Sequence, residues 1–535
     1  MITDFFKNGK GEPVLLMGLQ ANNSSTGTDV LDREIGAVRQ FGGNLLEAPV
    51  YWCQIEAEKD RYEFSMVQDL IERCRAAGLY LVILWFATSK NGHPNYAPEY
   101  VKVDPDTYAV AKAANGAPVA SLSPHCDATL KRDAKAFAAL MGFLRAFDGD
   151  ERTVMAVQVQ NEMGLANTDR DYSALAQGDY DKGVPAALEG VVLEDSGEGC
   201  DPSAADWRGR FGRHAHEAFS AWYHARYMEH IAKAGKAAYD LPLITNVMLG
   251  EQGIEEAGYN YNSGAAVGRV LDIYKRAAPS LNLLCPDIYT QDEAGFRRVC
   301  DRYARPDNAL FVPESPCMGI ANALNMITAI AEYDCIGYAC FGANYTMQND
   351  GTIMDDARPM AISMQAVMNV APLILRYRGT GRIHALVQRE FASGQYIRLD
   401  DYHIEAKFIS ANPGKRYGLG SRINMRDEEN AYHLQERGRA LLIDAGDDTF
   451  FLSGAGVEVD FIRRPDPMDA HPFERLTSRQ NGTLNFLSVE EGHFEGDTWV
   501  VDYVRNGDEA NFATYVHGGQ TVRIRLNPVW GRMEG

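Results

Sequence analysis

One short apolar run of the sequence ends at a residue with a carboxyl group. It covers Val157–Gly164 and reads Val-Gln-Val-Gln-Asn-Glu-Met-Gly. The alternation of branched aliphatic residues with glutamines predicts a buried strand that ends at Asn161 and Glu162. In a barrel of parallel strands, the C-terminal ends of the strands form the catalytic face. The pattern therefore predicts that Glu162 is a working acid and that Asn161 is its hydrogen-bonding neighbour.

A second apolar run also ends in a glutamate. Residues Ala309–Pro316 place Glu314 between two prolines, which restrict the local backbone. Glycoside hydrolysis needs two carboxyl groups, one to protonate the leaving oxygen and one to attack the anomeric carbon or activate a water. A single glutamate after an apolar run is more often a charge at a helix N-terminus or a salt-bridge partner. Whether the two glutamates can act as one catalytic pair therefore depends on the strands and helices between them.

Those elements predict an α/β fold, a (β/α)8 TIM barrel over residues 1–378. Apolar runs alternate with segments of helical spacing, which indicates parallel strands joined by crossover helices. The predicted strands cover residues 14–19, 44–50, 79–86, 156–161, 243–249, 281–289, 309–314 and 336–344. The predicted helices cover residues 29–41, 65–77, 127–147, 208–236, 265–277, 292–303, 319–333 and 357–376. On this count Glu162 ends the fourth strand and Glu314 ends the seventh.

The chain outside the barrel pattern contains a long loop and a second domain. Residues 163–207 are rich in Gly, Asp, Ala and Ser directly after Glu162, which favours a lid or substrate wall over a disordered loop. After residue 378, short β-type runs are separated by turn signals such as Asp-Ala-Gly-Asp over residues 444–447. This predicts a C-terminal all-β sandwich domain over residues 379–535.

Composition limits the class of protein and of ligand. The chain has 535 residues, 46% of them hydrophobic, and a formal net charge of −21. Acidic chains repel nucleic acid and anionic membranes, so we expect neither as a partner. No apolar run is long enough to cross a membrane, and the start carries no long apolar signal region, which together predict a cytoplasmic protein. A neutral sugar is compatible with this charge.

The nine cysteines are scattered and form no Cys-x-x-Cys pair. This arrangement argues against disulfide frameworks and cysteine-ligated zinc, and it favours free buried thiols in a reducing compartment. We expect no metal and no cofactor.

The barrel resembles the retaining glycosidases of clan A. The similarity lies in Asn161-Glu162 on the fourth strand and Glu314 on the seventh. The segments Tyr51–Glu56, Trp85–Gly92 and Tyr96–Lys102 look like those of bacterial β-galactosidase-like proteins in glycoside hydrolase families 35 and 42. The β-rich tail resembles the C-terminal domain that accompanies those barrels. Many family 42 enzymes carry a zinc-binding cysteine cluster that this chain lacks, which leans the resemblance toward family 35.

This resemblance implies roles for individual residues. Glu162 would be the general acid/base, Glu314 the nucleophile, and Asn161 the residue that holds the sugar's 2-hydroxyl. Tyr289 ends the sixth strand, where clan members often carry an aromatic hydroxyl near the nucleophile.

For the aromatic residue that would lie beneath the sugar, the sequence offers two candidates. A tryptophan is common in the clan at the end of the eighth strand, and this chain has Phe341 or Tyr345 there.

Residues in and after the third strand are further candidates for substrate binding. Trp85 and Tyr96 could stack on sugar C–H surfaces, or they could be core residues. Lys90, Asn91 and Glu99 could bind sugar hydroxyls, or they could belong to a solvated loop.

These observations predict a retaining exo-β-glycosidase that hydrolyses terminal β-galactosides or closely related β-glycosides. A non-catalytic carbohydrate-binding barrel and a transglycosylase with the same catalytic pair are the alternatives. A homo-oligomer is compatible with the sequence, which does not determine the oligomeric state.

Overall fold

The computed structural model of the chain describes residues 5–197, 199–250, 255–389, 392–408, 437–463, 486–505 and 514–529. These residues form two compact units. The first comprises Met1–Val38, Asn44–Ser315 and Gly337–Asn344, and the second comprises Arg39–Gly43, Pro316–Ile336 and Tyr345–Gly535. No helix among the described residues is long and apolar enough to cross a membrane.

The first unit is built on a parallel sheet of eight strands, counted over the described residues. The strands of this sheet are β1 (Leu16–Gln20), β2 (Leu45–Tyr51), β3 (Tyr80–Lys90), β6 (Val154–Asn161), β7 (Leu243–Met248), β8 (Leu283–Asp287), β9 (Phe311–Val312) and β10 (Gly337–Phe341). A separate small hairpin consists of β4 (Val110–Lys112) and β5 (Pro118–Leu122). The order in the large sheet is β8-β7-β6-β3-β2-β1-β10-β9. A parallel bridge between Asp287 and Glu314 joins its two outer strands and nearly closes the barrel.

Helices follow most of these strands. They are α1 (Val30–Gln40), α2 (Trp52–Ile55), α3 (Ser65–Ala76), α4 (Glu99–Lys102), α5 (Asp127–Asp148), α6 (Ala174–Tyr180), α7 (Trp207–Phe211), α8 (Ala215–Ala238), α9 (Leu271–Ala277) and α10 (Glu293–Tyr303). The strands of the large sheet are mostly apolar and almost entirely buried, as parallel strands covered by helices are. Gly18 lets β1 approach β2 closely, because a side chain there would collide with the Leu45 carbonyl.

The second unit contains two antiparallel sheets. Its elements are α11 (Ile320–Glu332), α12 (Arg358–Asn369), α13 (Ala371–Tyr377), β11 (Ile383–Val387), β12 (Gly394–Arg398), β13 (Tyr402–Phe408), β14 (Arg439–Gly446), β15 (Thr449–Ala455), β16 (Val457–Arg463), β17 (Phe486–Glu495), β18 (Thr498–Arg505), β19 (Tyr515–Val516) and β20 (Gln520–Leu526). One sheet has the order β11-β14-β15-β20-β17-β18 and the other β12-β13-β16-β19. Apolar side chains from both sheets form a single core.

The predicted fold class, a (β/α)8 barrel followed by an all-β module, is confirmed. The structure divides two of the predicted helices. Residues 208–236 contain most of α7 and of α8, and residues 357–376 contain α12 and most of α13. The second break lies at Val370, because Pro372 in the first turn of α13 lacks the N–H that would continue the preceding helix. The domain limits 1–378 and 379–535 stay predictions, and α11 to α13 lie in the second unit.

Candidate active site

The end of β6 has an unusual backbone that fixes Glu162. Gln160 and Glu162 have positive φ values of 63° and 45°, which non-glycine residues seldom adopt. The Glu162 N–H donates to Oδ1 of Asn246 at 3.0 Å, and Nδ2 of Asn262 donates to the Glu162 carbonyl at 2.8 Å. Strained conformations persist where the surroundings over-determine them, and they are common at functional sites. Two neighbouring side chains therefore hold this glutamate in place.

Glu314 lies two residues beyond β9, at the seam of the barrel. Its carbonyl accepts a hydrogen bond from the Ile288 N–H at 2.8 Å. The Tyr289 hydroxyl donates to Oε1 of Glu314 at 2.5 Å. The other carboxylate oxygen, Oε2, is buried and makes no hydrogen bond within the part of the chain that the structure describes. One oxygen of Glu314 is thus held by a tyrosine, and the other is uncommitted.

A third carboxyl group, Asp287 at the end of β8, lies beside the two glutamates. One carboxylate oxygen from each of Glu162, Asp287 and Glu314 lies within 4.8 Å of the others. Nδ2 of Asn246 donates to Oδ2 of Asp287 at 2.8 Å, so this asparagine connects Asp287 with the Glu162 backbone. Our sequence analysis missed Asp287 and Asn246. The available signal was a polar residue at or near the end of an apolar strand, the same signal that pointed to Glu162.

Burial and mutual repulsion raise the pKa values in this cluster. Burial, followed by the nearby Glu314 charge, raises the pKa of Glu162 to about 7, although the Lys90 ammonium opposes the increase. The pKa of Asp287 rises well above its ordinary value, first through burial and then through the charges of Glu314 and Glu162. Burial and Glu314 likewise raise the pKa of the Tyr289 hydroxyl. Carboxyl groups this close cannot all ionise easily.

Glu47 adds a buried acid on the interior of β2. It pairs in register with Gln20 of β1 and is 0% exposed. Neither of its carboxylate oxygens has a hydrogen-bond partner among the described residues. Burial first, and then the charge of Glu314, raises its pKa well above the usual range. The sequence analysis also missed this buried acid.

Three carboxylates at this spacing could also hold a divalent cation. The Lys90 ammonium already supplies positive charge beside this cluster, close enough to lower the pKa of Glu162. A bound cation would repel this ammonium.

A cavity of about 830 Å³ opens above these carboxyl groups. Six of the residues predicted from the sequence line it: Lys90, Asn91, Glu162, Tyr289, Glu314 and Phe341. Residues that the sequence analysis did not select also line it: Asn23, Met248, Leu249, Tyr259, Asn260 and Asp287.

Asn161 is next to the cavity but is itself 0% exposed. Its Oδ1 accepts a hydrogen bond from Lys90 Nζ at 2.9 Å, and its Nδ2 makes no hydrogen bond among the described residues. Lys90, which is 6% exposed and lines the cavity, is therefore better placed than Asn161 to meet a sugar hydroxyl. The predicted contact of Asn161 with the 2-hydroxyl would need its side chain to become accessible.

Three other predicted binding residues lie away from the cavity. Trp85 is 0% exposed and its indole N–H donates to Oδ1 of Asp133 on α5 at 2.9 Å, so it is a core residue. Tyr96 lines a separate cavity of about 600 Å³, where its ring stacks on Tyr51 at 5.1 Å. Glu99 is exposed in the first turn of α4.

Tyr345, the alternative to Phe341, belongs to the second unit and is 58% exposed. Phe341 ends β10 and lines the cavity. Of the two, Phe341 is the aromatic residue at the site.

The long segment 163–207 supports the loop that follows β7. Leu165 and Ser263 exchange two backbone hydrogen bonds of 2.8 Å, and the Asn167 N–H donates to the Gly258 carbonyl at 2.8 Å. The segment also contains α6, a short 3₁₀ helix and the first residue of α7. The role predicted for it, as a lid or substrate wall, stays a prediction.

Comparison with known proteins identifies the class of enzyme. Residues 22–240 match the model of glycoside hydrolase family 42, described as Beta-galactosidase. These residues therefore form a glycoside hydrolase domain of the β-galactosidase-like kind. Residues 363–516 match a domain of unknown function, DUF5597. No curated protein is similar to the chain in sequence.

Solved structures of several glycosidases are similar to this chain. The catalytic domain of β-amylase from Paenibacillus polymyxa is 13% identical, with a TM-score of 0.50 over 68% of this chain and 98% of that one. A β-galactosidase from Rahnella sp. R3 is 15% identical, with a TM-score of 0.49 over 70% and 58%. A catalytic mutant of a family 42 β-galactosidase from G. stearothermophilus is 13% identical, with a TM-score of 0.48 over 69% and 58%. The chain thus spans less than two thirds of these two β-galactosidases.

The family match corrects one expectation. The missing zinc cysteines leaned the sequence toward family 35, whereas the matching model is that of family 42. A structural zinc site stabilises a fold without taking part in catalysis, so its absence does not decide between families with the same chemistry.

Proposed function

We propose that the protein is a retaining exo-β-glycosidase that hydrolyses terminal β-galactosides or closely related β-glycosides through a covalent glycosyl-enzyme. The observation that carries this proposal is the close approach of Glu162 and Glu314, since one carboxylate oxygen of each lies within 4.8 Å of the other. The two carboxyl groups of retaining glycosidases stand about 5–5.5 Å apart, and those of inverting ones about 6.5–9.5 Å apart. The short spacing supports direct attack on the sugar without an intervening water.

The environments of the two glutamates support different roles. A pKa of about 7 leaves much of Glu162 protonated at neutral pH, as a general acid requires. Glu314 has one oxygen fixed by the Tyr289 hydroxyl and one uncommitted oxygen that can attack. Burial, followed by the charges of Glu314 and Glu162, raises the pKa of the neighbouring Asp287, a direction that reduces its repulsion of the nucleophile.

In the first step, Glu314 would attack the anomeric carbon while Glu162 protonates the departing oxygen. In the second step, the deprotonated Glu162 would take a proton from the water that hydrolyses the glycosyl-enzyme. Burial of both residues, at 4% and 5% exposure, strengthens the electrostatic interactions on which these steps depend.

The choice of a β-galactoside rests on the description of the family 42 match. The side chains of Lys90 and Asn91 on the cavity wall offer hydrogen-bond donors for hydroxyls. The cytoplasmic location and a homo-oligomeric assembly remain predictions from the sequence.

A panel of 4-nitrophenyl glycosides tests the proposal, together with NMR detection of the first anomer released. We expect cleavage of the β-galactoside or a close relative, with initial release of the β-anomer. Glu314→Gln should lose at least about a thousand-fold in kcat while circular dichroism stays unchanged, because no covalent intermediate can form. Glu151→Gln, an exposed glutamate of the same unit, is the matched control.

A second test addresses Glu162. Glu162→Ala should slow substrates with poor leaving groups far more than those with good ones, and added azide should restore turnover as a glycosyl azide. Initial release of the α-anomer, or near wild-type activity in Glu314→Gln, would overturn the mechanism.

A further inference from the structure

The cavity above the carboxyl groups has two chemically different sides. The side near β1 and β3 carries polar and cationic groups, namely Asn23, Lys90 and Asn91. The side formed by the end of β7 and the loop after it carries three large side chains with apolar surfaces, namely Met248, Leu249 and Tyr259. These two sides suit different parts of a glycoside. The polar side suits a sugar with many hydroxyl groups, and the other side suits a flat apolar surface.

Tyr259 is unusual because it is highly exposed although hydrogen bonds hold the neighbouring backbone in place. It is 78% exposed, the highest value among the exposed large hydrophobic residues of the described chain. The neighbouring Gly258 donates to the Tyr261 carbonyl at 2.8 Å and accepts from the Asn167 N–H at 2.8 Å. Holding an aromatic ring toward solvent on a hydrogen-bonded loop exposes apolar surface that a ligand could cover.

The acid/base residue lies beside this apolar side. The Glu162 N–H bonds Asn246 of β7, and the Glu162 carbonyl bonds Asn262 of the loop that carries Tyr259. A general acid must reach the glycosidic oxygen, which lies between the sugar that forms the covalent bond and the leaving group. With the glycone held on the Lys90 side, the leaving group must extend past Glu162 toward the β7 loop.

We propose that Tyr259, with Met248 and Leu249, forms the leaving-group subsite and stacks on a flat apolar face of the aglycone. This inference rests on the proposed function. An aryl ring and the C–H face of a pyranose share that chemistry, because both present an apolar surface to an aromatic ring. Asn260, which also lines the cavity, can accompany the stack with a hydrogen bond at the edge of the aglycone.

The test compares three substrates that share the cleaved glycone and differ only in the aglycone: a methyl, a phenyl and a disaccharide β-glycoside. Tyr259→Ala should lower kcat/KM about 2- to 12-fold for an aglycone that stacks, and leave it near the wild-type value for the methyl glycoside. Tyr259→Phe keeps the ring and should retain wild-type values. Leu175→Ala, a 51% exposed apolar residue of the same unit, is the matched control.

The breakdown rate of the glycosyl-enzyme distinguishes a role in aglycone binding from a structural role. A structural defect would change this rate. The rate should be the same in Tyr259→Ala and wild type, because the aglycone has already left at that step. A loss confined to the phenyl or to the disaccharide substrate identifies which aglycone the subsite takes. Equal losses across all three aglycones, or none, would overturn this proposal alone, whereas a wild-type protein that cleaves no glycoside would overturn the proposed function as well.

Discussion

Glu162 should set the upper limit of the pH range in which the enzyme works. Burial and the Glu314 charge raise its pKa to about 7, whereas an ordinary glutamate titrates near about 4.3. At pH 7 about half of the molecules would hold the catalytic proton, compared with about one in five hundred for an ordinary glutamate. The protonated form is the active one, so activity is present below this pKa and is lost as the pH rises through it. The protonated fraction falls from about nine-tenths at pH 6 to about one-tenth at pH 8, which predicts an approximately tenfold loss.

The assay is kcat/KM for an alkyl β-glycoside, whose poor leaving group needs the proton, measured from about pH 5 to about pH 9. Lys90→Met provides a second reading, because the Lys90 cation lowers the pKa of Glu162. Its removal should move the basic limb of the profile to higher pH, while Lys131→Met, an exposed lysine, should leave it in place. A profile that is flat between pH 6 and pH 8, or a basic limb that persists in Glu162→Gln, would refute the assignment of this limb.

Three further substitutions test the surroundings of the site. Tyr289→Phe removes the 2.5 Å hydrogen bond to Glu314 and should lower kcat/KM about 10- to 100-fold with unchanged folding; an effect below threefold would contradict a role for this bond. Asn246→Ala removes hydrogen bonds to the backbone of the acid/base and to the third carboxyl group, which should destabilise the fold by about 1–3 kcal/mol in denaturant unfolding. Asn246→Asp is its comparison variant, since it keeps one acceptor. Trp85→Phe leaves Asp133 without its indole donor and should lower the melting temperature without changing KM; a rise in KM alone would return Trp85 to the substrate site.

The two glutamates of the candidate site could be identified from the sequence alone. Apolar runs that end in Glu162 and Glu314 can be recognised because a buried parallel strand must be apolar and must stop where polar groups begin. The count of strands and helices between them then places both ends at one face, since parallel strands share a direction. The structure brings the two carboxyl groups within 4.8 Å.

Which way the side chains of β3 point could not be read from the sequence. Parallel strands are apolar on both faces, so periodicity does not distinguish the barrel interior from the helix-facing side. In β3 the pairing with β6 also shifts in register between Trp85 and Lys90. Trp85 consequently faces Asp133 of α5, and Lys90 faces the cavity.

By itself, the sequence determined the class of fold and the two glutamates at strand ends, because these depend on local pattern and residue type. The tertiary structure alone decided that Asp287 joins the glutamates, since β8 and β9 become neighbours only when the barrel closes through the bridge between Asp287 and Glu314. It also decided that Tyr259 reaches the same cavity from the loop after β7. The pKa of Glu162 belongs to the tertiary structure for the same physical reason, because burial and the field of a residue 152 positions away (314 − 162) exist only in the folded chain.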